Sequence, residues 1–134
     1  MVPNVCRGRI LLADDEAVLR ETIADALRGR GYEPALADCG GAALELGKRW
    51  QPDLSVLDIN MPDMTGIDVV RRWRSAGMNF PVIMMTAEAS EELRITAMTM
   101  AGGFVVKPFA LKDLLDLVNR LLRGDTTTGN MDIQ

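Results

Sequence analysis

With 134 residues, 48% of them hydrophobic and 25% charged, the chain has the size and makeup of one globular domain with a substantial core. Its net charge of −4 argues against a nucleic-acid-binding surface, and the absence of histidine excludes Ser-His and Cys-His catalysis, imidazole metal sites and any phosphohistidine of its own. No apolar run suits a bilayer, the start MVPNVCRGR lacks a signal peptide's apolar stretch, and Cys6 and Cys39 lack metal-ligand spacing; a cytoplasmic, membrane-free protein with reduced thiols is expected.

Along the chain, short apolar runs alternate with longer helical periods. Arg9 to Ala13 reads as a buried strand, and Val18 to Leu27, apolar at Val18, Ile23, Ala26 and Leu27, as a helix ended by Gly29-Arg30-Gly31. Glu33 to Ala37 is a weaker strand holding Pro34, tolerable at a sheet edge. Ala42 to Trp50 reads as a helix, Pro52-Asp53 as a break, Leu54 to Asp58 as a strand and Ile67 to Arg74 as a helix. Pro81 to Thr86 is a strand, Glu91 to Met100 a helix, Phe104 to Val106 a strand and Leu111 to Leu122 a strongly amphipathic helix. Residues 1–124 form one domain in this reading, and 125–134 a polar, frayed C-terminal tail.

Five strands alternating with five helices predict an α/β fold, a doubly wound five-stranded parallel sheet with helices on both faces. Ligands then bind beyond the carboxyl ends of the strands, where the winding reverses. No G-x-G-x-x-G follows the first strand and no P-loop motif occurs, so a nucleotide site is not expected.

The polar residues at those strand ends carry the chemistry. Asp14-Asp15-Glu16 follow the first strand, Asp58 ends the third, Thr86 the fourth, and Lys107-Pro108 follow the fifth. Each has a plain reading: Asp14 or Asp15 as a helix N-cap, Asp58 as a turn-former before Pro62, Thr86 as a β-former, Lys107 as a solvated loop lysine. Together they predict one charge-balanced cluster. Crowded carboxylates repel unless a cation intervenes, and hard oxygen ligands with open positions suit Mg²⁺. A carboxylate beside Mg²⁺ and a lysine can act as a nucleophile on phosphorus.

The stretches LLADDE, VLDINMPDMTG, IMMTAE and GGFVVKPF, in register from about Arg9 to Arg123, resemble the motifs of the two-component response-regulator receiver domain. The resemblance implies a flavodoxin-like strand order 2-1-3-4-5 with five helices. It implies Asp58 as phosphoacceptor, and Asp14, Asp15, Asp58 and the backbone carbonyl of Asn60 as holders of Mg²⁺. Thr86 and Lys107 would bind phosphoryl oxygens, Lys107-Pro108 would be a cis peptide, and Phe104 matches an aromatic position that moves inward on activation. Residues two beyond the acceptor and the threonine, here Asn60 and Glu88, would tune the phosphoryl lifetime. Where the family often has Gly-Ala, this chain has Gly102-Gly103, whose freedom is expected to loosen the approach to Phe104. Lys107 is expected to matter to signalling more than to the fold.

The implied partners are a sensor histidine kinase or a histidine phosphotransfer protein, and a downstream partner on the face of the fourth helix, fifth strand and fifth helix. Monomer and phosphorylation-dependent dimer both stay open; direct nucleic-acid binding and membrane contact are not expected. The expected role is a switch that catalyses its own phosphorylation and dephosphorylation, not an enzyme. A phosphorylation-independent interaction module on the same fold is the alternative. An aspartyl-phosphate phosphatase would want a second acid where Asn60 stands.

Overall fold

The apolar runs become strands, all but the second largely buried. In the computed structural model, which describes residues 6–88 and 90–124 and the backbone of 132–133, β1 (Arg9–Ala13), β2 (Glu33–Ala37), β3 (Leu54–Asp58), β4 (Val82–Thr86) and β5 (Gly103–Val106) run parallel in the order 2-1-3-4-5. Five helices lie between and after them: α1 (Ala17–Gly29), α2 (Gly40–Trp50), α3 (Gly66–Ser75), α4 (Glu91–Met100) and α5 (Leu111–Leu122). This is the predicted doubly wound fold. One strand was not predicted: β6 (Asp132–Ile133) pairs parallel with β5 inside the stretch expected to be a frayed tail. The rest of that tail and the first five residues lie outside the described residues.

Alternation along each strand divides the core into two layers. Ile10, Leu12, Leu54, Val56, Ile83, Met85 and Val105 face α1 and α5, against Ile23, Leu27, Leu114 and Val118. Leu11, Leu57, Val82, Met84 and Phe104 face the other way, onto Leu44, Val69, Val70 and Trp73 of α2 and α3 and Ala97 of α4. Because helices cover both faces, β3 and β4 are buried at every residue and read as near-continuous apolar runs, broken in β3 by Ser55.

Glycines set the closest approaches. Gly47 lies on α2 directly against the Trp73 ring, whose Nε1–H donates to the Leu44 carbonyl at 3.2 Å. A side-chain carbon at Gly103 would come within 2.9 Å of Leu117 Cδ2 and 3.2 Å of Ile83 Cγ1. The second glycine of the Gly102-Gly103 pair therefore lets β5 pack tightly on α5, which corrects the expectation of looseness there. Pro34 occupies β2, the edge strand, as expected. The Glu33 N–H donates inward to the Gly8 carbonyl at 2.9 Å, so alternation turns the Pro34 nitrogen to the open side.

Candidate functional site

The carboxyl ends of β1, β3, β4 and β5 bring Asp14, Asp15, Asp58, Thr86 and Lys107 to one edge of the sheet. Asp14 is fully buried, Asp58 is 5% exposed and Thr86 is fully buried, while Asp15 faces solvent. Lys107 Nζ donates to Asp14 Oδ2 at 3.0 Å and to Asp58 Oδ2 at 3.2 Å. Oxygens of Asp14, Asp15 and Asp58 lie within 4.8 Å of one another.

The remaining contacts hold these groups in place. Asp14 Oδ1 accepts the Glu16 N–H at 2.8 Å, but Glu16 is the N-cap of α1 and the helix has no side-chain cap, so neither Asp14 nor Asp15 fills the N-cap role of the plain reading. Arg20 of α1 donates to the Asp14 carbonyl at 2.7 Å, and the Asp14 N–H donates to the Ala37 carbonyl at 3.2 Å. Asp58 Oδ1 accepts the Asn60 N–H at 3.1 Å. Thr86 Oγ1 accepts the Glu88 N–H at 3.0 Å, which leaves its own O–H free to donate elsewhere. Asn60, Ala87 and Glu88 are exposed at the rim, the Lys107–Pro108 peptide is cis, and Phe104 is buried beneath the site at 1% exposure.

Burial raises the Asp58 carboxyl above its ordinary range, and repulsion from Asp14 adds to this; Lys107 and the Asn60 N–H pull it partly back. Burial works to lower the Lys107 ammonium, but its hydrogen bond to Asp14 and the two carboxylate charges prevail and hold it above the ordinary value. Lys107 is thus the counter-ion of two buried carboxylates, with its side chain only 17% exposed. These ion pairs give it a structural role that a solvated loop lysine would lack. The donor set, three carboxylates with no nitrogen or sulfur ligand, fits a hard divalent cation such as Mg²⁺.

The turn after β3 is built for close contact. The Ile59 N–H donates to Met85 O and the Gly66 N–H to Ile59 O, both at 2.8 Å. A side-chain carbon at Gly66 would stand 2.6 Å from the Asp58 carbonyl oxygen, so only glycine lets α3 start there. Thr65 caps α3 by accepting the Asp68 N–H at 3.1 Å.

Asp63 was missed in the sequence. Its carboxylate accepts the Gly40 and Gly41 N–H groups of α2, each at 2.8 Å, and those N–H groups, Gly41's first, hold its pKa below the ordinary carboxylate range. The signal was there: a helix opening on two glycines, with Cys39 before it providing no side-chain cap.

Beside Lys107 lies a largely apolar hollow of about 390 Å³, lined by Leu19, Thr22, Ala87, Pro108, Phe109 and Leu111. Val18, on the same helix as Leu19 and Thr22, is 77% exposed. Among the described residues, no helix is long and apolar enough to cross a membrane.

A family model for the response regulator receiver domain matches residues 10–119. Over 120 residues the chain is 38% identical to the probable transcriptional regulatory protein TcrX of Mycobacterium tuberculosis, covering 89% of this chain and 51% of that protein. It is 40% identical over 116 residues to the response regulator MprA of Mycobacterium leprae, covering 86% of this chain and 51% of that one. The receiver domain of the putative response regulator NarL of Mycobacterium tuberculosis superposes with a TM-score of 0.83 at 30% identity, over 90% of this chain and 99% of that domain. The chain spans about half the length of the curated relatives it matches.

Proposed function

Because the chain belongs to the response regulator receiver family of two-component signalling, we propose that Asp58 is its phosphoacceptor and that residues 1–124 are the switching unit. The observation that carries the assignment is the pairing of one lysine with two buried carboxylates, 3.0 and 3.2 Å away, beside an exposed third. The Asp58 carboxylate attacks phosphorus on a partner's phosphohistidine. The O–P bond forms as the N–P bond breaks, and that electron pair leaves with the imidazole nitrogen.

Asp58 must be ionised to attack. Its raised pKa opposes this, and the ammonium of Lys107 favours it. Asp14, Asp15, Asp58 and the Asn60 carbonyl are the groups suited to hold Mg²⁺. When bound, that ion offsets the charge of the transferred group. Lys107 then exchanges carboxylate oxygen for phosphoryl oxygen, and the free O–H of Thr86 donates to another.

The hollow beside Lys107 gives a histidine kinase or phosphotransfer protein an apolar seat next to the acceptor. The downstream partner reads the α4–β5–α5 face, where Ile95 is 57% exposed. We place the domain in the cytoplasm, as a self-modifying switch and not an enzyme acting on others.

Incubation with acetyl phosphate and Mg²⁺ should add one phosphoryl group, seen by intact mass and absent from Asp58→Asn. Labelling that persists in Asp58→Asn would sink the assignment. The label should decay within seconds to minutes, on the order of a fast-resetting switch, because exposed Asn60 and Glu88 leave water an in-line path to phosphorus. Timing the decay in wild type and in Asn60→Lys/Glu88→Tyr checks this; a wild-type half-life of hours, or no slowing in the double variant, contradicts it.

A further inference from the structure

We propose that Asp63 is a positioning residue for the phosphoryl transfer, holding the acceptor loop in register by anchoring it to the N-terminus of α2. The inference rests on the reading of Asp58 and its neighbours as a Mg²⁺-dependent acceptor site.

The first N–H groups of a helix have no partner within it and are ordinarily met by the residue just before. In α2 that residue, Cys39, provides no side-chain cap. Asp63, more than twenty residues further along the chain, takes both the Gly40 and the Gly41 N–H at 2.8 Å. The fit depends on the two glycines. A side-chain carbon at Gly41 would lie 3.1 Å from Asp63 Oδ2, and one at Gly40 would lie 3.2 Å from Asp63 Oδ1 and overlap Met64. The helix start is thus shaped around this carboxylate.

The anchor adds to others on this loop, where the Asn60 N–H donates to Asp58 Oδ1 at 3.1 Å and the Met61 side chain is buried in the core. On the sheet side the loop is fixed by Ile59 to Met85 and by Gly66 to Ile59, both at 2.8 Å. Between those points runs the arc from Asn60 to Thr65, exposed at Asn60, Pro62, Asp63 and Thr65, and Asn60 bears the carbonyl assigned to the metal. Pro62 stiffens the arc between Asn60 and Asp63, since its ring fixes φ. A displacement at Asp63 is therefore passed to Asn60 instead of being absorbed. Groups that orient metal ligands from behind commonly change metal affinity or activity by about 10- to 100-fold when removed.

The test titrates Mg²⁺ into the full chain, following the Asp15 and Asn60 amide signals by NMR, alongside labelling with acetyl phosphate. Asp63→Ala should weaken Mg²⁺ binding about tenfold and slow labelling in proportion, with Asp58 still the labelled residue. Asp63→Asn keeps one acceptor oxygen while losing the charge, so it should recover part of the loss; where the alanine variant does not fold, the asparagine variant carries the comparison, with a loss smaller than the roughly tenfold expected of alanine. Mg²⁺ affinity within twofold of wild type in the alanine variant, or in the asparagine variant standing alone, overturns the proposal. So does an asparagine variant as impaired as alanine, because the lost charge alone would then explain the effect. If wild type itself neither binds Mg²⁺ nor takes label at Asp58, the functional reading falls and this one with it; if wild type does both and Asp63→Ala matches it, this one falls alone.

Discussion

Lys107→Ala is expected to lower the stability of the Mg²⁺-free protein by about 3 kcal/mol, besides slowing phosphoryl transfer. The ammonium is the shared counter-ion of Asp14 and Asp58, whose side chains are 0% and 7% exposed. Removing one partner of a buried pair costs more than the pair itself contributes, because the remaining charges stay desolvated. Two further observations make the mechanism specific. Mg²⁺ should narrow the gap between variant and wild type, since the cation would take over the lost counter-charge and stabilises whichever folded state binds it.

Lower pH should also narrow the gap. The folded pKa of Asp58 is already raised, chiefly by burial, and Lys107 is one of the groups restraining that rise; without it the carboxyl moves higher still. Between its unfolded and folded values the native state binds more protons than the unfolded one, so stability falls as pH rises through that window. The variant should therefore recover stability on acidification from neutrality toward about pH 4, the unfolded value, more than wild type does. Lys107 contributes with the same sign in a higher window: its raised pKa stabilises wild type fully below the ordinary lysine value, and that stability is lost as pH climbs through the folded one. Thermal melts of both proteins at several pH values, with and without Mg²⁺, check all three. A variant with wild-type stability in the absence of Mg²⁺ would contradict the counter-ion role.

Gly47→Ala is the second substitution with a large expected effect. Alanine improves helix propensity by roughly 1 kcal/mol over glycine, so on propensity alone α2 would gain. The added carbon, however, would overlap Nε1, Cε2 and Cζ2 of Trp73, a ring that is fully buried and tied by its N–H to the Leu44 carbonyl. A fully buried planar side chain has little room to shift, so overpacking of this kind costs about 1–3 kcal/mol, and any shift that breaks the indole hydrogen bond adds about 1 kcal/mol more. The clash prevails, and a net loss of about 2 kcal/mol is expected. Urea unfolding followed by tryptophan emission measures it; a more stable Gly47→Ala would show that the ring has room.

The sequence was informative wherever the cause was local. Strand ends could be placed because apolar runs stop at charged or hydroxyl residues: Ala13 gives way to Asp14, and β3 and β4 end on Asp58 and Thr86 themselves. The start of α2 was read two residues late, at Ala42, since glycines weaken a helix reading, and the group that caps them comes from Asp63 in another loop. The structural weight of Lys107 was hidden for the same reason: its two partners are 93 and 49 residues away in the chain. A lysine at a strand end looks solvated until the fold closes two carboxylates around it. The two-residue strand β6 has no apolar run to announce it and arises from pairing with β5.

The proline on β2 has a consequence beyond local geometry. An open sheet edge presents unpaired N–H and C=O groups on which another molecule's strand could grow, and that is a route to aggregates. At Pro34 the outward N–H is missing, and the exposed Glu33 beside it adds a charge that an incoming strand would have to desolvate. The β2 edge, next to the strand that leads into Asp14 and Asp15, is thereby made less open to strand addition, and the risk of edge-to-edge aggregation falls with it.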